Sequence, residues 1–111
     1  MVILTKEFIL NKCKTDSLNK IKKLDIWSSD LEEVSLVKEM PNLEICSLSL
    51  NKVTSLQDFK SSYNLVELYL RKNKIVNLNE ILYLQNCKKL KVLWLWDNPI
   101  SSHPNYRAYI I

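Results

Sequence analysis

The chain has 111 residues, enough for one domain, with 47% hydrophobic residues, 25% charged residues and a net charge of +4. This balance is typical of a globular protein and excludes a disordered chain. No apolar run approaches the roughly 20 residues that span a bilayer, and the absence of glycine excludes glycine-rich phosphate loops.

The first 20 residues predict an N-terminal cap. The start is apolar but lacks a basic lead and a small-residue cleavage site, so we expect no secretory signal. Thr5 is placed to cap a helix that begins near Lys6, with Phe8, Ile9 and Cys13 on the face that covers the first repeat. The three cysteines, Cys13, Cys46 and Cys87, are odd in number and form no CxxC motif. This favours reduced, unreactive thiols in the cytosol or nucleus.

One frame, LxxLxLxxNxL, then recurs from residues 21, 43, 65 and 90. Its first, fourth and sixth positions hold Leu or Ile in every copy except for Cys46, which we interpret as a small core residue. The alternation at period two predicts a short half-buried strand in each repeat, and stacked repeats make these strands parallel. The sequence therefore predicts an α/β fold, a leucine-rich-repeat right-handed solenoid. It has a short parallel sheet on the concave face, a helical or irregular convex side and an N-terminal helical cap.

The ninth position of the frame holds Asn51, Asn73 and Asn98, and Ser29 in the first repeat. An asparagine amide can satisfy backbone groups of neighbouring turns that would otherwise be buried without partners. We expect a structural asparagine ladder there, with Ser29 making fewer bonds. The remaining apolar residues are expected to line the inside of the convex side: Val34, Val37, Leu56, Phe59, Leu78, Ile81, Leu82 and Leu84.

The C-terminal segment, residues 101–111, predicts an incomplete cap of the single domain. Pro104 and Asn105 can start a helix whose Tyr106 and Ile110 face the last repeat. The segment resembles the cap of SDS22-like leucine-rich repeats but stops before the closing part of that pattern. We therefore expect a piece of a longer protein, with the apolar edge of the fourth repeat only partly covered.

The third, fifth and seventh positions of the frame are predicted to point onto the concave surface. All three tryptophans lie at these positions, and none lies at a leucine position. Trp, Tyr and Arg are enriched at interface hot spots, so this pattern indicates protein binding, although rings stacked on each other in a solvated groove are the alternative. The predicted partner-binding residues are Trp27, Tyr69, Arg71, Trp94, Trp96, Asp25, Glu67 and Ser49.

Catalytic and metal-binding patterns are lacking. His103 is the only histidine, and no paired-carboxylate, HExxH or P-loop motif occurs. We expect no enzyme activity, no cofactor and no metal. The lysines are mostly mixed with acidic residues, which favours a solvated rim over a nucleic-acid surface.

Four stretches carry a family resemblance: residues 23–29, 39–44, 67–73 and 91–99. They resemble the N-terminal leucine-rich-repeat domain of the cilia- and flagella-associated protein 410 family. The resemblance implies a non-enzymatic scaffold for cilium or flagellum assembly, in the cytoplasm and cytoskeleton at the basal body. It also implies a NIMA-related kinase as partner and oligomerisation through a C-terminal helical region that this chain lacks.

Two other functional hypotheses remain open. The chain also resembles the leucine-rich-repeat protein of the spliceosomal U2 particle, which implies a nuclear adaptor that binds an RNA-binding domain. SDS22 itself implies a regulatory subunit of a phosphatase, although SDS22 is a longer solenoid than this chain builds.

Overall fold

The computed structural model of the chain describes residues 2–102. Its strands and its α-helix are β1 (Val2–Ile3), α1 (Lys6–Lys12), β2 (Lys23–Asp25), β3 (Leu31–Glu33), β4 (Ile45–Ser47), β5 (Glu67–Tyr69) and β6 (Val92–Trp94). The strands β2, β4, β5 and β6 form one parallel sheet in that order, one strand from each repeat. The predicted leucine-rich-repeat solenoid is confirmed.

The register of this sheet follows the repeat frame. Leu24 lies opposite Cys46, Cys46 opposite Leu68, and Leu68 opposite Leu93. The side chains of Leu24, Cys46 and Leu68 are fully buried, because each fourth position of the frame points into the solenoid. Residues two apart along a strand share a face, so the residues flanking this row point to the concave side.

The convex side consists mainly of short 3₁₀ helices, at Ser35–Glu39, Gln57–Phe59, Leu78–Leu84 and Pro99–Ser102. Val34, Val37, Leu56 and Phe59 are buried there as predicted. The prediction for Leu82 was wrong, since 54% of that residue is exposed. In this tight helix Leu78, Ile81 and Leu84 turn inward, at a spacing of three residues per turn, and that spacing leaves Leu82 outside.

The N-terminal cap forms as predicted around α1. The Thr5 hydroxyl accepts a hydrogen bond from the Phe8 backbone N–H at 3.3 Å, and Ile9 is fully buried against the core. Placing Phe8 on the same inner face was wrong, because it is 48% exposed. Consecutive helical residues point about 100° apart, so burial of Ile9 directs Phe8 outward.

A second, two-stranded sheet was not predicted. The strands β1 and β3 pair in parallel, and the Leu4 N–H donates to the Glu33 carbonyl at 2.8 Å. Val2 and Ile3 are largely exposed on this sheet, whereas Leu4 is buried. Backbone hydrogen bonds thus hold the N-terminal strand against the first repeat. Because these bonds do not depend on side-chain type, the sequence pattern does not predict them.

Two further sequence predictions concern the cysteine thiols and the burial of the fourth repeat. Burial raises the pKa of the Cys46 and Cys87 thiols, which keeps both in the unreactive neutral form. Leu90 and Leu93 in the fourth repeat are only partly buried. The proposed C-terminal helix and His103 lie outside the described residues.

Candidate functional site: the concave face

Three rows of side chains run across the concave sheet, one from each exposed position of the frame. The third-position row holds Lys23, Ile45, Glu67 and Val92, and the fifth-position row holds Asp25, Ser47, Tyr69 and Trp94. Backbone bonds just beyond the strands align the seventh-position row, Trp27, Ser49, Arg71 and Trp96. The exposed fractions of Trp27, Trp94 and Trp96 are 62%, 45% and 48%.

Four of these side chains touch at the C-terminal end of the face, and we call Tyr69, Arg71, Trp94 and Trp96 the aromatic cluster. The Tyr69 and Trp94 rings meet edge to face with centroids 4.7 Å apart. The Trp94 and Trp96 rings follow at 6.2 Å. Both geometries match the arrangement that the aromatic quadrupole favours.

The Arg71 guanidinium closes the cluster. Its Cζ lies 4.6 Å from the centroid of the Trp96 ring, within the range of a cation–π contact. Its Nε also lies 3.4 Å from the Oδ2 atom of Asp97. Sequence reasoning missed Asp97, because it lies in the turn after Trp96 and not at a strand position. The Arg71 charge is therefore already partly engaged within the chain.

Glu67 holds the phenol end of the cluster. Its carboxylate accepts a hydrogen bond from the Tyr69 hydroxyl. This bond stabilises the neutral phenol, and it raises the pKa of Tyr69 above its ordinary value of 10.0. Glu67 thus orients Tyr69 in addition to presenting a charge.

Trp27 does not join the aromatic cluster. It lies in the same row as Trp96 but three strands away, a separation of about 14 Å at the usual strand spacing. The small side chains of Ser47 and Ser49 occupy the sheet between them. The concave face therefore has an aromatic group at each end and a floor of Ile45, Ser47 and Ser49 in the middle.

At the N-terminal end, Trp27 borders an open cavity of about 460 Å³, which we call the N-terminal cavity. Phe8 lies at its edge, a residue that sequence reasoning assigned to the core. The amphipathic pattern of α1 could have indicated this, since Phe8 and Lys12 share one face of the helix. The cavity is lined by Phe8, Lys12, Cys13, Lys23, Asp25, Ile26, Trp27 and Ser29.

The asparagine ladder fixes the turns that follow the strands. The Asn73 side chain accepts from the Val53 N–H at 3.0 Å and donates to the Leu48 and Leu70 carbonyls at 3.0 and 3.1 Å. Asn51 and Asn98 make the equivalent bonds, and all three asparagines are at most 4% exposed. These bonds set the positions from which Arg71 and Trp96 project.

The residue before each ladder position is held in an unusual conformation. Ser28, Leu50, Lys72 and Asp97 all have φ between 56° and 62°, the left-handed region that favours glycine. Because the chain has no glycine, residues other than glycine adopt this conformation in the turns.

A second, exposed asparagine ladder precedes the strands and was not predicted: Asn42 and Asn64 donate to the Asn19 and Pro41 carbonyls.

Within residues 2–102, no group of three or more His, Cys, Asp or Glu side chains is placed to hold a metal ion. Over the same residues, no helix has the length and apolar content to cross a membrane.

Comparison with known proteins places the chain among leucine-rich-repeat proteins. No family model matches it. Cilia- and flagella-associated protein 410 of Mus musculus is 44% identical over 86% of the chain and 39% of its own length. The Homo sapiens protein of that name is 38% identical over 97% of the chain and 43% of its own length. The chain thus spans about two fifths of these relatives.

A further relative and two solved structures widen the comparison. The U2 small nuclear ribonucleoprotein A′ of Emericella nidulans is 31% identical over 97% of the chain and 48% of its own length. An internalin of Listeria monocytogenes matches 83% of the chain and 29% of its own chain, with a TM-score of 0.72 and 25% identity.

The Drosophila melanogaster SNF/U2A′ complex matches 99% of the chain and 78% of its own chain, with a TM-score of 0.67. Its 22% identity indicates a shared fold only. These relatives and neighbours support a leucine-rich-repeat scaffold for protein interaction. The identity to the mouse and human proteins covers most of the chain, so these proteins are homologues of the chain over about two fifths of their own length.

Proposed function

We propose that the chain is a non-enzymatic interaction module that binds another protein through its concave face, with the aromatic cluster as the main contact. The observation that carries this proposal is the exposure of Trp94 and Trp96 beside each other, at 45% and 48%. Contiguous exposed apolar surface usually marks a contact site. Each ring presents large area and a polar N–H at little cost in conformational entropy.

Stacking within the cluster does not remove the need for a partner. Edge contacts between the rings cover part of each ring, yet about half of both tryptophans remains accessible to solvent. Arg71 covers one face of Trp96, and Asp97 offsets its charge. These contacts hold the rings in place before binding, which lowers the entropy that a partner must overcome.

We further propose a role in cilium or flagellum assembly at the basal body, with a NIMA-related kinase as partner. The names of the mouse and human relatives support the ciliary part. The family resemblance of residues 23–29 and 91–99 motivates the kinase.

The alternative role is a nuclear splicing adaptor. It is supported by the 31% identity to the fungal U2 protein. The identity to the ciliary proteins is higher, at 38% and 44%, which favours the ciliary role.

Affinity capture with the tagged full-length protein tests the binding proposal. We expect Trp96→Ala to lose the partners that the wild type retains, including an added purified NIMA-related kinase. A matched control is Leu82→Ala, which removes a similarly exposed side chain from the convex side. Equal capture by both variants would contradict the concave site.

Imaging of the same tagged protein tests the location. Signal at the basal body supports the ciliary role. Signal confined to the nucleus would instead support the splicing adaptor and leave the concave binding site to be judged by the capture result.

A further inference from the structure

The first repeat differs from the others at the ladder position. Asn51, Asn73 and Asn98 are buried because each bonds to the carbonyl of a preceding repeat. The first repeat has no preceding repeat, and there the position holds Ser29, which is exposed. Its hydroxyl donates to the Trp27 carbonyl at 3.3 Å and remains accessible to solvent.

The residues around Ser29 form an exposed acidic turn. Ser28 and Asp30 both have φ of 56°, so the chain reverses sharply on either side of Ser29 and presents it outward. Ser28, Asp30 and Glu32 are also exposed. Acidic residues thus stand first and third after an accessible serine, the arrangement that acidic-directed protein kinases bind through their basic substrate grooves.

The cavity beside Ser29 holds two lysines, whose charge is opposite to that of the acidic turn. Lys12, Lys23 and Ser29 line the same N-terminal cavity. Neither lysine makes any of the ion pairs found among residues 2–102. Asp25 also lines the cavity, whereas the Asp30 carboxylate is paired with Lys52 at 3.8 Å. The two ammonium groups of the cavity are therefore opposed by one carboxylate until further negative charge is added.

We propose that Ser29 is a phosphorylation site for an acidic-directed serine/threonine kinase, and that the phosphate binds in the N-terminal cavity between Lys12 and Lys23. The Ser29 Oγ atom attacks the γ-phosphorus of ATP, and an O–P bond forms. The bond from that phosphorus to the β,γ-bridging oxygen breaks, ADP leaves with the electron pair, and the hydroxyl proton passes to the kinase's catalytic carboxylate. The product carries a charge of about −2 beside Trp27, and it changes the chemistry of that end of the concave face.

Recombinant casein kinase 2, with ATP and magnesium, tests the site on the folded chain. We expect tandem mass spectrometry to find one phosphoryl group, on Ser29. Ser29→Ala should abolish incorporation, whereas Ser28→Ala should retain it. The double variant Asp30→Asn/Glu32→Gln keeps the serine and should slow the reaction several-fold. Circular dichroism confirms that each variant is folded.

Incorporation only at another residue would overturn the proposal. So would phosphorylation of a free peptide of residues 23–37 but not of the folded chain, because the fold would then hide Ser29. Neither result bears on capture through the aromatic cluster, so the two proposals fail separately.

A phosphorus NMR titration of the phosphorylated chain tests the binding of the phosphate in the cavity. The free group loses its second proton near pH 6. Lys12 and Lys23 should lower that pKa more strongly than Asp25 raises it, because the charge of Asp30 is offset by Lys52. The double variant Lys12→Gln/Lys23→Gln should raise it again. An unchanged titration in the double variant would show that the lysines do not hold the phosphate.

Discussion

The guanidinium of Arg71 lies over the ring of Trp96, with 4.6 Å between its Cζ atom and the ring centroid. The two residues share the seventh position of neighbouring repeats, so the solenoid itself brings them together. Asp97, the next residue in the chain, lies 3.4 Å from the Arg71 Nε atom. The contact fixes one face of the indole and leaves the rest of it open to a partner.

Arg71→Ala should therefore affect binding more than stability. Cation–π contacts at exposed sites and surface ion pairs each contribute up to about 1 kcal/mol. We expect the free energy of unfolding in urea to fall by at most about 2 kcal/mol, with a change in tryptophan fluorescence. Lys74→Ala, which removes an exposed lysine of the same repeat, is the control and should change neither. A loss several times larger would place Arg71 in the core.

Truncation of a frame leucine should behave differently. Leu70 is fully buried, so Leu70→Ala should lower the free energy of unfolding by about 2–5 kcal/mol. Leu82→Ala should cost little, because that side chain is exposed. Similar losses in chemical denaturation for the two variants would contradict the inward and outward assignment of these residues.

The buried ladder asparagines should contribute more to the free energy of unfolding than the exposed asparagines that precede the strands. Asn73→Ala leaves the buried Val53 N–H without its acceptor, while the Leu48 and Leu70 carbonyls keep their bonds from Asn51 and Asn98. We expect the free energy of unfolding to fall by about 1–3 kcal/mol, against less than about 1 kcal/mol for Asn42→Ala, whose single bond lies at the surface. Thermal and urea unfolding measure both. Equal effects would mean that the inner ladder is not a main source of stability.

A strained turn offers a stabilising change. Lys72 has φ of 57°, and asparagine tolerates this region better than lysine does. Lys72→Asn should therefore raise the free energy of unfolding, by up to about 1 kcal/mol. Lys74→Asn is the matched control, since Lys74 does not have positive φ, and it should give no gain. A gain of the same size at both positions would point to charge and not to backbone strain.

The Tyr69–Glu67 bond predicts a pH effect. The pKa of Tyr69 is raised in the folded state, so its contribution to stability is present below pH 10.0 and is lost as the pH rises through the raised value. NMR of labelled tyrosine should place the Tyr69 titration above the ordinary tyrosine pKa of 10.0. Glu67→Gln should bring it down, because the carboxylate is gone. An unchanged Tyr69 titration in that variant would rule out Glu67 as the cause.

The sequence predicts the core better than the surface. Leu, Ile and Cys46 at fixed frame positions determine which side chains of β2, β4 and β5 point inward, because strand alternation leaves no choice of face. The seventh-position alignment likewise predicts that Arg71 meets Trp96. The separation of Trp27 from the aromatic cluster depends on which strands lie between them, and a residue-type pattern does not express that distance.

Several other features cannot be predicted from the repeat pattern, each for a physical reason. Pairing of β1 with β3 rests on backbone hydrogen bonds, which any side chains permit. Phe8 and Leu82 are apolar, but burial of Ile9 in the α-helix and of Leu84 in the 3₁₀ helix directs them outward. Asp97 lies in a turn, where its contact with Arg71 depends on the left-handed backbone of that same residue.

Photo-crosslinking from the concave floor tests the central claim most directly. A benzoylphenylalanine at Ser49 of the full-length protein lies between the two aromatic ends of the face without replacing any ring. Irradiation in cells should crosslink this position to another protein, and Trp96→Ala in the same chain should abolish the product. The same probe at Leu82 should give none. Crosslinks from Leu82 but not from Ser49 would contradict binding on the concave face.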